Sequence, residues 1–500
     1  MLATPDYPVS GKAPGDNSTL PAAACSPSKE FLRPRMRTRT RTGCWTCRDA
    51  GYKCDEQKPF CGRCLRLKIP CQGYGIRCRW RAVRPQVSTS QHRPVAVDSS
   101  PSPSLGSGPS LLPIDTLSKR DSRLLHYWTA NLSGLLSASG GPSESNPFVV
   151  HLGAMLLAPG ALQSVVLSMA ATHLARLTDD TSLQVVADRH QQAALNRLRT
   201  LVGDPVQSRS QATLAAVLMM LVSTRLFADE EDTTPCLVNH LQGASAMIGQ
   251  RLNGHAPAPL TPTERFLLSL FSYHDILSSV SRGARPLWES TSEFSAVEDI
   301  ACTHRITAVL HLVARISQLQ QLKTADANQP GCSFHVTAAA IEISLQGLGP
   351  LSSGDTRDNS WERAIESTVQ AYRHAAFIYL YRVWFDVGAP SPTTLEHVEQ
   401  CLSALEEVPA TSPLVSAHGW PLFTAGCESI LPSQRDLVRA RFDQMYATRH
   451  FPSLRRIKGD MEEVWARKDA EQRIAGLDGM AKVDCIQVIL RRRGREVNFT

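Results

Sequence analysis

The sequence has no long apolar run. Its longest nearly apolar stretch, about Ala212 to Val222, is roughly half of the ~20 residues a membrane helix needs, so it reads as a buried helix that packs in a core or lines a ligand pocket. The first residues, "MLATPDYPVSGK", lack the charged-then-apolar order of a secretory signal, so an intracellular protein without a membrane partner is expected. Alternating strand patterns are few. No heptad follows the cysteine-rich segment, which argues against a coiled coil, and no fixed-period repeat supports a solenoid. Hydrolase, metalloprotease and nucleotide-binding motifs are absent as well: no GxSxG, no HExxH and no P-loop occurs. "GASAMIG" has the wrong spacing for a nucleophile elbow. His173 lies on an apolar helical face, where a core role is expected, and His190 and His240 stand without a second ligand four residues on. An enzyme is not expected.

Charge and cysteine are unevenly spread. Residues 31–84 hold 15 Lys and Arg against 3 Asp and Glu, while the rest holds 38 against 43. A basic block on a mildly acidic body suits a small polyanion-binding head. Six of the 14 cysteines fall between Cys44 and Cys71, and clustered thiols in a reducing compartment point to metal more often than to disulfides.

Four regions follow. Residues 1–42 form a disordered arm ending in "RPRMRTRTRT", with Arg at 33, 35, 37, 39 and 41, which suits phosphate contact or nuclear import. Residues 43–80 are the cysteine block. Residues 81–113 are a disordered Pro/Ser linker, with six Pro and eight Ser after position 84. From 114 to 500 the pattern is helical, so a mostly α chain with one large all-α body of antiparallel pairs is expected. Leu124, Leu125, Trp128, Leu132 and Leu135 share one face, with Ser118 and Asp121 resembling a capping box. A helix through "LQVVADRHQQAALNRLRTLVG" should stop at Gly203, and Thr234-Pro235 should open another. Further helices are expected at roughly 262–281, 299–323, 335–347, 360–386, 393–406, 433–446 and 454–468. The acidic run Asp229–Asp232 reads as a solvated loop or a small activation patch. "LRRRGRE" near the end reads as a basic surface or a second import signal.

The cysteine spacing is Cys44-x2-Cys47-x6-Cys54-x6-Cys61-x2-Cys64-x6-Cys71, a duplicate of one pattern. A CxxC turn puts two thiolates on one metal, and zinc favours four. Two metals on six sulfurs require two of them to bridge. A classical finger or RING would need histidine, and none lies between Cys44 and Cys71. Cys25 and Cys78 match no ligand position. Large apolar side chains in residues 43–75 are few, chiefly Trp45, Phe60, Leu65, Leu67 and Ile69, so metal binding and folding should be one event, at about 10 kcal/mol per site. Any single ligand change should unfold the head.

The stretch "GCWTCRDAGYKCDEQKPFCGRCLRLKIPCQGYG" resembles the fungal Zn2Cys6 binuclear cluster transcription factors, in its cysteines and in "KCDE", "KPFC" and "CQGYG". The resemblance implies two Zn2+ ions. Cys44 and Cys61 would bridge, Cys47 and Cys54 would complete one zinc, and Cys64 and Cys71 the other. It also implies a short DNA-facing helix, mapped onto Cys47–Cys54, whose middle residues contact base edges in the major groove. The positions that usually carry two base-reading lysines are here Ala50 and Gly51, and Gly51 would cost a helix about 1 kcal/mol relative to Ala. Remaining DNA-binding candidates are Arg48, Lys53, Lys58, Arg63, Arg66 and Lys68, with Arg37, Arg39 and Arg41 on the arm. Segments such as "SRLLHYWTANLSGLLS" and "RRIKGDMEEVWARKD" resemble the fungus-specific helical regulatory domain that follows such clusters.

The expected function is a nuclear, zinc-dependent, sequence-specific DNA-binding transcription factor acting on RNA polymerase II genes of a metabolic, including secondary-metabolite, pathway. Expected partners are double-stranded DNA and the transcription machinery. Any homodimer would form through the helical body. The alternative is a zinc-cluster interaction cofactor that has lost direct base readout. A catalytic zinc is disfavoured, because sulfur fills every ligand position.

Overall fold

The computed structural model describes residues 43–57, 61–69, 71, 117–139, 145–227, 234–252, 260–288, 304–325, 332–350 and 360–493. Arg37, Arg39, Arg41, Lys58, the linker at 81–113 and the run Asp229–Asp232 lie outside them. The chain divides into two compact units, residues 1–75 and 76–500.

The first unit contains two five-residue helices, α1 (Trp45–Asp49) and α2 (Gly62–Arg66). The second is all helix among its described residues, as the apolar periodicity predicts. It opens with α3 (Lys119–Tyr127), which runs through a π-turn at Trp128–Leu132 into α4 (Ser133–Leu136). Ser118 Oγ accepts the Asp121 N–H at 3.1 Å. The reciprocal half of the expected capping box is replaced: the Asp121 carboxylate instead meets His190 Nε2 at 3.0 Å.

α5 (Pro147–Leu156), α6 (Ala161–Thr178), α7 (Thr181–Gly203), α8 (Gln211–Phe227), α9 (Thr234–Leu252) and α10 (Pro262–Arg282) follow. α6 ends at Asp179 in the left-handed conformation, and Asp180 caps α7 by accepting the Ser182 N–H at 2.8 Å. This two-residue link turns the chain back, so α6 and α7 pack along each other. α7 stops at Gly203, as predicted. α10 carries the true capping box, in which Thr261 Oγ1 accepts the Glu264 N–H and Glu264 accepts the Thr261 N–H. The Ala212–Val222 stretch lies inside α8, with Leu214 to Val222 buried without interruption. A helix apolar all round belongs at the centre of a body, and α8 packs on α6, α9, α10 and α17.

The second half holds α11 (His304–Ala325), α12 (Cys332–Gly347), α13 (Ser360–Phe385), α14 (Pro392–Glu406), α15 (Gly419–Cys427), α16 (Pro432–Arg449), α17 (Pro452–Ala481) and α18 (Cys485–Arg493). α15 was not legible in the sequence, because Gly, Pro and Gly punctuate it. Burial holds it: Trp420 and Leu422 are fully enclosed. α17 outruns its expected span and bends at Gly476. One continuous apolar core joins both halves of this body. Among the described residues, no helix is long and apolar enough to cross a membrane.

Candidate metal centre and nucleic-acid interface

The head folds as one unit used twice, offset by 17 residues. Cys44 and Cys61 are the N-caps of α1 and α2, with nearly the same backbone angles. Arg48 N–H donates to Cys44 O and Leu65 N–H to Cys61 O, at 3.0 and 3.1 Å. Tyr52 N–H donates to Cys47 O and Ile69 N–H to Cys64 O, at 2.9 and 3.1 Å. Both helices stop on a left-handed residue, Gly51 at φ 73 and Lys68 at φ 52. Gly51 N–H and Lys68 N–H donate to Arg48 O and Leu65 O, which completes a Schellman stop in each half.

This corrects the expected helix at Cys47–Cys54. α1 ends at Asp49, Ala50 caps it and Gly51 lies beyond it. Glycine at that place favours the stop rather than weakening a helix. A side chain at 51 would meet no neighbour, but it would meet the left-handed backbone penalty. Gly51→Ala is therefore expected to destabilise the head by about 1 kcal/mol and Lys68→Gly to stabilise it slightly less than that. Chelator titration of the full-length protein checks this: the Gly51→Ala midpoint should fall about five-fold, and an unchanged midpoint would contradict it.

Among the described residues of this unit the packing is sulfur on sulfur. Cys44, Cys47, Cys61 and Cys64 are fully buried, Cys54 nearly so and Cys71 partly. Leu65, Leu67 and Ile69 are exposed, so they build no hydrocarbon core. The sulfurs form two quartets, Cys44/Cys47/Cys54/Cys61 and Cys44/Cys61/Cys64/Cys71, each with all sulfurs within 4.8 Å of one another. Cys44 and Cys61 belong to both. Cys44 Sγ lies 3.6 Å from Cys61 Sγ and 3.9 Å from Cys64 Sγ, and Cys47 Sγ lies 3.7 Å from Cys61 Sγ. A tetrahedral ion with about 2.3 Å bonds to sulfur sets its ligands about 3.8 Å apart, whereas a disulfide is about 2.05 Å long. The donor set therefore fits zinc, and these separations are not disulfides.

Burial pushes the Cys44 and Cys64 thiols up, and the Cys61 thiol up to about 12. Thiolates in such a place require a cation beside them. Backbone N–H groups of Cys44 and Glu56 point at Cys54 Sγ, and that of Cys64 at Cys61 Sγ, at 3.3–3.4 Å.

Asp55, the acid of "KCDE", joins the two halves. Its carboxylate accepts the Gly62 and Arg63 N–H groups at the start of α2, at 3.0 and 2.9 Å. Sequence reasoning assigned it no task. Arg63 reaches the opposite way, with Nη1 3.7 Å from Cys47 Sγ and its guanidinium 3.9 Å from the Tyr52 ring centre. It braces the head as well as charging it. Arg48, Lys53, Arg66 and Lys68 are exposed. In the 17-residue register Arg63, Arg66 and Lys68 take the places of Thr46, Asp49 and Gly51, so the second half carries cations where the first has none.

In the helical body, His173 is buried. Its Nδ1 meets the Tyr127 hydroxyl at 2.7 Å and its Nε2 donates to Arg449 O at 2.8 Å, a core role as expected.

The sequence pattern of the fungal Zn(2)-Cys(6) binuclear cluster domain matches residues 42–81, and that of the fungal specific transcription factor domain matches residues 123–500. Pestheic acid cluster transcriptional regulator 3 of Pestalotiopsis fici is 22% identical over 86% of this chain and 95% of its own. Arginine metabolism regulation protein II of Saccharomyces cerevisiae is 52% identical over 11% of this chain, a match that spans only 6% of that protein. The Zn(2)-C6 fungal-type transcription factor afumD of Aspergillus fumigatus is 26% identical over 39% of this chain and 49% of its own. No solved structure matches.

Proposed function

The chain belongs to the fungal specific transcription factor family and carries a Zn(2)-Cys(6) cluster domain ahead of the family's helical domain, and from that premise we propose a zinc-dependent, sequence-specific DNA-binding regulator of RNA polymerase II genes in a metabolic pathway. The family is not an enzyme class, and it implies a nuclear protein. Residues 43–80 form the DNA-binding head and 114–500 the regulatory body. One observation carries the reading: two sulfur quartets that share Cys44 and Cys61 and have the edge lengths of a zinc tetrahedron. Cys47 and Cys54 would complete one zinc, and Cys64 and Cys71 the other. The zincs supply four positive charges against six thiolates and hold the unit together. Relatives named for a pestheic acid cluster and for arginine metabolism support a metabolic target.

On this reading Arg48 and Lys53 reach the bases or their phosphates from the first half. Arg66 and Lys68, with Arg63 and Lys58, hold phosphates from the second, and Arg37, Arg39 and Arg41 extend the contact. Replacing Arg66 and Lys68 by Ala should weaken binding to all sequences alike and reduce the salt slope by about 0.9 per lost phosphate contact. Arg48→Ala should relax the preferred motif. Binding measured across a salt series on selected and scrambled duplexes reads both, and a loss confined to the selected duplex in the Arg66/Lys68 variant would contradict the assignment.

A second reading rests on the same stop at Gly51. Asp49, Ala50 and Gly51 put no long basic side chain at the end of α1. A head built so could meet a protein partner and leave base reading to it. Site selection from a random duplex pool with the full-length protein separates the two: an enriched motif supports direct reading, and none supports the cofactor.

A further inference from the structure

A cavity of about 710 Å³, its mouth included, lies inside the helical body among α8, α10, α16, α17 and the 3-10 turn Pro413–Ala417. Its wall is mostly hydrocarbon, including Leu136, Phe148, Val222, Leu270, Met445 and Ile457. Among the described residues that line it there are two arginines, Arg225 and Arg449, and no carboxylate.

Arg449 is 4% exposed. Its Nη2 donates to the carbonyls of Ser412 and Pro413 at 3.2 and 3.3 Å, and its Nε meets no acceptor among the described residues. No Asp or Glu among the described residues pairs with it. Burial, with the charge of the nearby Arg441, holds its guanidinium below the ordinary arginine range, at about 10, which still leaves it charged at neutral pH. The other described titratable groups that line the cavity or lie close to Arg449 add no negative charge. Burial, with the charge of Arg225, keeps His274 neutral, and burial, with the charges of Arg441 and Arg449, keeps His418 neutral. Burial also holds the Tyr273 hydroxyl protonated. A buried cation is ordinarily paired, and here the described residues offer Arg449 no carboxylate while an apolar chamber opens beside it.

We propose that this cavity binds a small amphipathic anion, an apolar body bearing one carboxylate, with Arg449 as the partner of the carboxylate. The planar guanidinium suits a carboxylate, and the hydrocarbon wall suits the rest of the molecule. The site lies wholly within the helical body and does not depend on what the zinc head binds.

Calorimetric titration of the full-length, zinc-loaded protein with a homologous series of phenylalkanoates, each beside its neutral primary amide, tests this. One-site saturable binding is expected for an acid of fitting length, about ten-fold or more tighter than its amide. Arg449→Gln should bind acid and amide alike, and Arg449→Lys should keep part of the preference. Absence of saturable binding across the series would overturn the proposal, as would equal affinity for acid and amide in the unaltered protein. The acid–amide comparison needs no variant, so a misfolded Arg449→Gln leaves the test intact. Unchanged acid affinity in a folded Arg449→Gln would place the anion elsewhere and also overturn it.

Discussion

Full-length protein carrying Cys61→Ser is expected to hold about zero zinc per chain in its head and to lose the fold of that unit, whereas Cys71→Ser keeps about one. Two tetrahedral ions need eight ligand positions, and six sulfurs supply them only if two are counted twice. Cys44 and Cys61 are the two that stand in both quartets. Cys61 also forms the N-cap of α2, where its sulfur accepts the Cys64 N–H. Removing it takes a ligand from both metals and the cap from one helix. Cys71 belongs to a single quartet and is the one partly exposed ligand, so water can fill its place.

The size of the effect follows from what else the head contains. Five-residue helices do not persist alone in water, and Leu65, Leu67 and Ile69 are too exposed to hold them. Structural zinc contributes on the order of 10 kcal/mol per site, and no contact among the described residues of the head approaches that. Metal content after dialysis, read by mass spectrometry, separates the cases, with Cys44→Ser expected to follow Cys61→Ser and Cys47→Ser to follow Cys71→Ser. Retention of one zinc by Cys61→Ser, at the level of Cys71→Ser, would sink the shared-sulfur arrangement. This also sharpens the simpler expectation that any one ligand change unfolds the whole head.

The cage was legible because its spacing is local: a CxxC turn and an x6 return are short-range features that the chain repeats. The C-terminal end of α7 and the core face that runs from α3 into the π-turn were legible for the same reason, through Gly203 and through Leu124 and Trp128. The end of α1 was not. Reading helix as far as the next cysteine counted Gly51 as a cost inside the helix, whereas its left-handed backbone closes the turn four residues after Cys47. Arg63 was read as a DNA-facing cation and Asp55 only as part of "KCDE", since nothing local shows that one reaches back 16 residues and the other forward 8. The body hides its polar interior more thoroughly. Glu428 follows the end of α15, Arg382 lies on α13 and Lys468 on α17, and Arg449 meets Pro413 across 36 residues. Periodicity marks which face is buried, but it does not mark which buried charges meet.

Glu428→Gln is expected to destabilise the helical body by about 3–5 kcal/mol, the cost of stranding a buried charge. Glu428 is 2% exposed and Lys468 is fully buried. Lys468 Nζ donates to Glu428 Oε2 at 2.5 Å, Arg382 Nη2 to Oε1 at 2.8 Å, and the Ala389 N–H to Oε2 at 2.7 Å. The fit is close enough that a Cβ at Gly388 would fall 1.8 Å from Arg382 Nη2 and 2.4 Å from Glu428 Oε2. Burial alone would raise the Glu428 carboxyl, but Lys468 and Arg382 outweigh it and hold the group at about 2. Against an ordinary value of about 4.3, that is roughly 3 kcal/mol of stability. Because the folded value is the depressed one, this contribution is complete above about pH 5 and is lost as pH falls from about 4.3 toward about 2. Urea unfolding of the wild type and Glu428→Gln across that range should therefore converge in acid. Lys468→Met, which leaves Glu428 paired with Arg382, should cost less than Glu428→Gln at neutral pH, and the double variant should cost less than the sum, since Glu428→Gln strands the Lys468 charge. Strict additivity of the two, or a stability gap that persists undiminished in acid, would contradict the buried triad.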